Sequence, residues 1–143
     1  MSYLEHYRKL ENLYHSHPLN NLYQAQIKIS ENTAEVKIPV KEALFHAAHA
    51  VHGSVYFKAL DDAAFFAVNS TIMEVFVLTT TFTTYLTRPV TKGIMRAVGN
   101  LVNTTRKQYI AGAILYNEDI EVGRGSGIYV RSRIRLNEKV GYK

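Results

Sequence analysis

Gly53 and Asp61, in the middle of the chain, have the residue types and the spacing that attack on a carbonyl group needs. Gly53 stands at the start of a long apolar segment. A helix beginning there would present unpaired backbone N–H groups and a partial positive charge to a carbonyl oxygen. A glycine also lets a substrate approach the backbone closely. Asp61 supplies a carboxylate that can activate water or attack the carbon directly.

The separation of these two residues predicts a site built by two subunits. Asp61 lies eight residues after Gly53, which is about 12 Å along a helix that rises ~1.5 Å per residue. One reacting carbon cannot contact both groups of the same helix. An antiparallel helix from a second copy would bring its Asp61 to this Gly53. We therefore expect a homodimer with two composite sites, and a dimer of dimers would keep the same arrangement.

The neighbouring carboxylates Asp61 and Asp62 call for different interpretations. At about 100° per residue, Asp62 falls in line with Lys58 and Asn69 on a polar stripe, so we expect it to be solvated or paired with Lys58. Asp61 lies among apolar residues such as Phe57. A carboxylate there is costly unless it is functional or well bonded. We assign Asp61 to catalysis, with a hydrogen-bonded structural group as the alternative.

The elements that must position these residues suggest one domain over residues 1–143. Apolar residues at steps of three and four predict an N-terminal helix within 1–18, and the alternating pattern of 22–40 predicts a hairpin or bent strand pair. A nearly all-apolar stretch predicts a buried central helix over about 54–69. Residues 74–136 are typical of a four-strand antiparallel meander. This order favours an α+β fold in which a curled antiparallel sheet wraps around the central helix.

Composition excludes several classes of protein. Of the 143 residues 47% are hydrophobic and 20% charged, and cysteine is absent, so disulfides, zinc-thiolate sites and thiol nucleophiles are excluded. The polar N-terminus lacks a signal-peptide core, and no stretch approaches the ~20 apolar residues of a membrane span. We expect a cytoplasmic protein that does not act on membranes. The net charge of +5 favours an anionic partner without choosing among cofactor phosphates, nucleic acid and acidic lipid.

One motif carries a resemblance to a known family. His52-Gly53-Ser54 is followed by Asp61 nine residues after the histidine, and a Pro-containing turn lies downstream in 85–90. Together they resemble the phenylacetate-pathway (PaaI-type) acyl-CoA thioesterases, which have the hotdog fold, and the likeness covers roughly 46–129. It implies hydrolysis of an acyl-CoA thioester to free acid and coenzyme A. Coenzyme A would then be part of the substrate, with no cofactor and no metal.

The resemblance also implies roles for further residues. His46 stands where the family often has asparagine and could donate a second hydrogen bond to the carbonyl. His52 matches the motif histidine, as a helix-start residue or a proton carrier. Thr79 lies eighteen residues after Asp61, where relatives place a hydroxyl that positions water, although threonine is also a common strand residue. Aromatic residues of the central helix could bound either a fatty chain or an aryl ring.

Coenzyme A carries phosphates, so a site acting on it needs cations. Arg106 and Lys107 lie in a predicted turn, Arg88 precedes the turn proline, and Arg124 lies in the glycine-rich segment 123–127. We interpret that segment as a bulge or bend entering the last strand.

Two other functions remain as alternatives. A hotdog dimer could bind acyl-CoA without hydrolysing it, as a sensor or regulator, and His46 in place of asparagine is the feature that favours this. A nucleic-acid module would use the basic residues Arg131, Arg133 and Arg135, but such modules usually show a denser basic patch interleaved with aromatics. We interpret these arginines, together with Tyr129, as the solvated face of a strand or a subunit contact, and we expect no nucleic-acid partner.

Overall fold

The computed structural model describes all 143 residues. Its helices are α1 (Tyr3–Ser16), α2 (Pro18–Leu22) and α3 (Gly53–Asn69), with 3₁₀ turns at Glu42–Leu44 and Glu138–Val140. Its strands are β1 (Gln26–Ser30), β2 (Thr33–Pro39), β3 (Val75–Leu86), β4 (Ile94–Thr104), β5 (Tyr109–Asn117) and β6 (Ile120–Arg135). None of the helices has the length and apolar character that crossing a membrane would require.

The N-terminal segment contains two helices where the sequence predicts one. Ser2 caps α1 by accepting a hydrogen bond from the Glu5 backbone N–H at 3.1 Å. Pro18 does not simply end the helical region, because it starts α2 at a position that needs no N–H donor. The prediction of a strand from residue 22 is therefore wrong by four residues. Gln24 adopts a positive φ of 55°, and this turn delays β1 until Gln26.

The central helix α3 begins one residue before the predicted start and packs against the sheet. Leu60, Ala63 and Ala64 are fully buried, so the small residues let strands approach the helix axis closely. The approach is tightest at Gly99 of β4, where an added Cβ would lie 2.3 Å from the Ala63 backbone. Any side chain at Gly99 would push β4 away from α3, which explains the glycine in the middle of a strand.

The six strands form one antiparallel sheet in the order β1-β2-β4-β5-β6-β3. The predicted α+β class, with a curled sheet around one long helix and a short N-terminal helix, is confirmed. The predicted four-strand meander is correct only for β4, β5 and β6. The strand β3 pairs with β6 rather than with β4, because the other edge of β4 is occupied by β2. As a result β3 forms one edge of the sheet.

The glycine-rich segment 123–127 is not the connection that the sequence suggests. It lies within β6 and pairs with both β5 and β3. The ring of Phe82, on β3, covers this part of β6. An added Cβ would lie 2.4 Å from that ring at Gly125 and 2.6 Å at Gly127. These two glycines therefore make room for an aromatic ring, and the register shift between β5 and β6 lies just before the segment, at Val122.

Candidate active site

The N-terminus of α3 leaves one backbone donor free. His52 is the N-cap residue, and its ring Nδ1 accepts a hydrogen bond from the Ser54 N–H at 3.0 Å. The Val55 N–H donates to the His52 carbonyl at 3.0 Å. The Gly53 N–H has no acceptor within the chain. The first turn of α3 therefore leaves the N–H of Gly53 available to an acceptor from outside the chain.

A cleft of about 260 Å³ opens at this helix end. Gly53, His46 and Arg88 all line it, together with Tyr56 and Leu86. The His46 Nδ1 accepts a hydrogen bond from the Ala48 backbone N–H at 3.0 Å, which places the ring proton of a neutral His46 on Nε2. The structure thus brings His46 to Gly53, with a ring N–H available as a second donor.

The second half of the predicted set, Asp61 and Thr79, also comes together, farther along α3. The Thr79 hydroxyl donates to Asp61 Oδ1 at 3.1 Å. A residue that the sequence did not assign to the site, Tyr129, donates to the same oxygen at 2.9 Å. Thr79 and Tyr129 are direct partners across the β3–β6 pair. Both donors converge on Oδ1, and Asp61 Oδ2 accepts no hydrogen bond from the chain.

The interpretation of Tyr129 as a solvated strand residue is wrong, since this side chain is 0% exposed. Alternation places Tyr129 and Arg131 on the same face of β6. The Tyr129 ring lies 6.1 Å from the Phe65 ring of α3, whereas Arg131 reaches the exposed Glu74, beyond the end of that helix. One strand face is thus buried at one end and exposed at the other. The alternating arginines made this strand face look solvated along its whole length, and no signal in the sequence separated Tyr129 from them.

Some of the groups around Asp61 raise the pKa of its carboxyl group, and others lower it. Burial raises the pKa of its carboxyl group above the usual value, and the nearby charge of Asp62 adds to this. The hydrogen bonds from Tyr129 and Thr79, and the charge of Lys58, act to lower the pKa of Asp61. Burial also raises the pKa of the Tyr129 phenol, as does the Asp61 charge beside it. Tyr129 therefore stays protonated at neutral pH and acts as a donor only.

The prediction that Asp62 pairs with Lys58 is confirmed. The Lys58 ammonium contacts Asp62 Oδ2 at 2.7 Å, and the Tyr14 hydroxyl donates to the same oxygen at 2.7 Å. Lys58 also donates to the side chain of Asn20 at 2.7 Å. This cluster fastens α3 to α1 and α2. Asp62 is therefore held by a cation and a hydroxyl group on the α1 side of the helix, whereas Asp61 is held by Thr79 and Tyr129 of the sheet.

The four predicted phosphate-binding cations lie at two different ends of the sheet. Arg88 is exposed at the cleft beside Gly53. Arg106 and Lys107 are exposed in the turn between β4 and β5, next to Tyr109, which pairs with Tyr129. Arg124 is held by Glu121 through two hydrogen bonds of 2.7 and 2.6 Å, so its guanidinium is already occupied. No group of three or more potential metal-ligating side chains is close enough to hold an ion.

A known protein family matches the part of the sequence that contains the candidate site. The family model described as the thioesterase superfamily matches residues 48–124, which include Gly53, Asp61 and Thr79. The chain belongs to this superfamily. Membership supports thioester hydrolysis as the general activity. No curated protein matches the chain in sequence.

Solved structures resemble the whole fold of this superfamily member. The Escherichia coli PaaI protein from the phenylacetic acid degradation operon superposes with a TM-score of 0.84 at 16% identity, over 94% of this chain and 98% of that one. A thioesterase family protein from Silicibacter pomeroyi gives 0.80 at 20% identity, over 91% and 98%. PaaI from Thermus thermophilus, solved as a mutant, gives 0.74 at 18% identity, over 81% and 100%. At these identities the likeness establishes the fold.

Proposed function

We propose that the protein hydrolyses acyl-CoA thioesters to free acid and coenzyme A, at a site shared between two copies of the chain. The observation that carries this proposal is the pair of half-sites on α3. One offers the free N–H of Gly53 and the other offers the free Oδ2 of Asp61. They lie about 12 Å apart along the helix, so a second, antiparallel α3 is needed to bring them to one carbon.

The free groups suit the steps of thioester hydrolysis. The Gly53 N–H, with His46 as a second donor, stabilises the negative charge that develops on the carbonyl oxygen. Asp61 Oδ2 removes a proton from water as the water oxygen bonds to the carbonyl carbon. The carbon–sulfur bond then breaks, and the sulfur leaves with the proton as the coenzyme A thiol. Direct attack by Oδ2, followed by hydrolysis of the anhydride, reaches the same products.

Thr79 and Tyr129 act on the carboxylate in this mechanism. Both hydroxyl groups donate their hydrogen bond to Asp61 Oδ1, so they orient the carboxylate and stabilise its ionised form. Thr79 can still accept a hydrogen bond from water through an oxygen lone pair, which keeps the predicted water-positioning role compatible with its contact to Asp61. His52 acts as the helix cap, since its Nδ1 is engaged by Ser54.

The free edge of the sheet supports assembly with a second copy. The strand β3 is twelve residues long and pairs with β6 on one side only. It carries exposed apolar side chains at Leu78, Tyr85 and Leu86. A long apolar edge strand in solution invites pairing with another chain. Pairing of two such edges would set the two α3 helices antiparallel, as the composite site requires.

The same assembly gives the cations a common role. Antiparallel α3 helices place the cleft end of one copy, with Arg88, next to the Asp61 end of the other. The turn holding Arg106 and Lys107 belongs to that second end. Three unpaired cations from two copies would then surround one site, which suits the phosphates of coenzyme A. Arg124 contributes less, because Glu121 neutralises it.

A second candidate is an acyl-CoA-binding protein that does not hydrolyse its ligand. The specific observation in its favour is that Asp61 is well bonded by Thr79 and Tyr129, as a structural carboxylate would be. Membership of the thioesterase superfamily favours hydrolysis instead, and the unpaired Oδ2 of the half-buried Asp61 leaves an oxygen that can accept a proton from water.

A panel of short, long and aryl acyl-CoA thioesters, with release of free thiol as the readout, tests the proposal. The Asp61→Asn variant keeps the shape but removes the base, so turnover should fall by about 10²–10⁴-fold while binding persists. Asp62→Asn is the matched control and should keep most turnover in folded protein. Wild-type turnover in Asp61→Asn, or no turnover of any thioester by the parent, would give the binding function precedence.

A further inference from the structure

Phe57 is the one large apolar side chain of α3 that the fold leaves exposed. It is 44% exposed, whereas the other large apolar residues of the helix are buried or half-buried. It lies four residues after Gly53 and four residues before Asp61. At about 100° per residue, Gly53 and Asp61 sit about 40° to either side of Phe57 on the helix surface. Phe57 therefore marks the middle of the stripe that carries both half-sites.

This position has a geometric consequence for a symmetric dimer. A two-fold axis that brings each Gly53 opposite Asp61 of the other copy must cross the helix halfway between them. Halfway between residues 53 and 61 is residue 57. We propose that Phe57 lies at the two-fold axis of the dimer, where it packs against Phe57 of the second copy and the two rings form the wall between the two active sites. The proposal rests on the shared site described above.

The contacts of Phe57 support this placement. Its ring meets the ring of Phe82 edge to face, with centroids 5.7 Å apart. Phe82 lies near the middle of β3, the strand whose free edge is available to a second copy. The midpoint between the two half-sites on α3 and the middle of the edge strand are thus in contact with each other. One axis can pass through both, so that pairing of the two β3 strands and apposition of the two helices occur together.

The Phe82 ring is itself held in place by the strand beneath it. Gly125 and Gly127 leave no Cβ in its way, so the ring lies directly on the β6 backbone and faces Phe57 from a fixed position. A second copy of the chain is the occupant that fits the exposed face of Phe57, because its own Phe57 arrives there by symmetry. The rings close the end of each site that faces the axis, so the acyl group of one site is separated from the other.

Cross-linking tests the axis directly, since the chain contains no cysteine. A Phe57→Cys variant treated with a short bismaleimide should give a covalent dimer as the main product. Phe65→Cys is the matched control on the same helix stripe. Its two copies would lie about 24 Å apart, being eight residues from the axis on each helix at ~1.5 Å per residue, and should not cross-link. Val102 is 67% exposed, so a Val102→Cys variant measures the cross-linking that random collision produces.

The outcomes separate this inference from the proposed activity. Efficient cross-linking at 57 alone supports the axis even if the native protein hydrolyses no thioester, in which case only the activity fails. Turnover by the native protein without cross-linking at 57, or with equal cross-linking at 57 and 102, overturns the axis. A photoreactive phenylalanine analogue at 57 retains the aromatic bulk and repeats the test should the cysteine variant fold poorly.

Discussion

The two half-sites of α3 are held in place by opposite means. At the helix start, Gly53 is positioned by its immediate neighbours. The His52 side chain accepts a hydrogen bond from the Ser54 N–H, and the His52 carbonyl accepts one from the Val55 N–H. Eight residues later, Asp61 is positioned by Thr79 and Tyr129, which are 18 and 68 residues away in the chain. One half depends on local contacts, and the other depends on the sheet.

This difference matches the chemistry that we propose for each half. A backbone donor needs only a correctly started helix, and its partial charge costs little to expose. A carboxylate under an apolar sheet needs donors to remain ionised. The two halves should therefore respond differently to mutation. Changes near Gly53 should affect turnover without affecting the carboxyl pKa, whereas changes near Asp61 should affect both.

The largest effect is expected from mixing two inactive proteins. Asp61→Asn removes the base, and Gly53→Pro removes the donor. Proline suits this position because Gly53 is the first helical residue and His52 already has extended angles. Asp61→Asn should lose about 10²–10⁴-fold in turnover, and Gly53→Pro about 10²–10³-fold. A mixed dimer contains one intact site, so exchange of subunits should restore part of the activity.

Light-scattering detection of subunit exchange with tagged chains is the control for this mixing experiment. If exchange occurs and turnover does not return, Gly53 and Asp61 act within one chain or not at all, and the comparison of two cooperating halves fails.

A smaller effect is expected from Tyr129→Phe, which removes one donor and keeps the ring. A hydrogen bond to a charged group contributes roughly 1.5–3 kcal/mol, so turnover should fall about tenfold or more. The bond lowers the pKa of Asp61, so its loss raises that pKa further. Because the base works when ionised, activity is lost as pH falls through this pKa, and the acid limb of the pH profile should move to higher pH.

Measurement of kcat/KM against pH checks this shift, with Gly53→Ala as the comparison variant. An unmoved acid limb in Tyr129→Phe would mean that the titrating group is not Asp61. A limb that also moves in Gly53→Ala would show that the two halves are electrostatically coupled.

A further prediction concerns where coenzyme A binds. Exposed charge pairs contribute roughly 0–1 kcal/mol each, so Arg106→Ala with Lys107→Ala should weaken coenzyme A binding about fivefold, and affinity should fall with salt. Arg88→Ala should weaken it about two- to threefold. Arg124→Ala should change it least, because Glu121 already occupies that side chain. Calorimetric titration at two salt concentrations measures the affinity of all three variants for coenzyme A. An effect of Arg124→Ala alone would mean that the nucleotide binds beside Arg124 instead.

The smallest effect is expected from Gly53→Ala. The new Cβ would lie 3.0 Å from Leu86 Cδ2, the end of an exposed side chain that can move. Alanine lowers the entropy of the unfolded chain, so the protein should be more stable by about 0.4–1 kcal/mol. Turnover should fall much less than in Gly53→Pro, because the N–H remains. A thermal melt and a steady-state assay measure the two effects, and a large loss of turnover would mean that the substrate needs the space rather than the donor.

The periodic parts of the fold were predictable from the sequence, and the irregular ones were not. The apolar run that forms α3 and the strand-rich segment after it are long enough to carry a clear pattern, so the class and the central helix agree with the structure. The early part of the hairpin was misassigned because Gln24 turns the backbone through a positive φ. Residues 123–127 were misassigned because glycines that accommodate Phe82 look the same in sequence as glycines that bend a strand.

The candidate site also has a part that was predictable from the sequence and a part that was not. Local spacing was sufficient to predict that Lys58 pairs with Asp62 and that Gly53 and Asp61 lie about two turns apart on one helix, because such relations follow from helix geometry alone. Tyr129 could be recognised only in the tertiary structure. The residues that follow it on the same strand face are exposed arginines, and its burial depends on how far the sheet curls over α3. The sequence was enough to predict a backbone N–H donor and a carboxylate acceptor eight residues apart on one helix. The packing of the sheet decided which oxygen of Asp61 is held and which is free, because hydrogen bonds from distant strands depend on the pairing of β3 with β6.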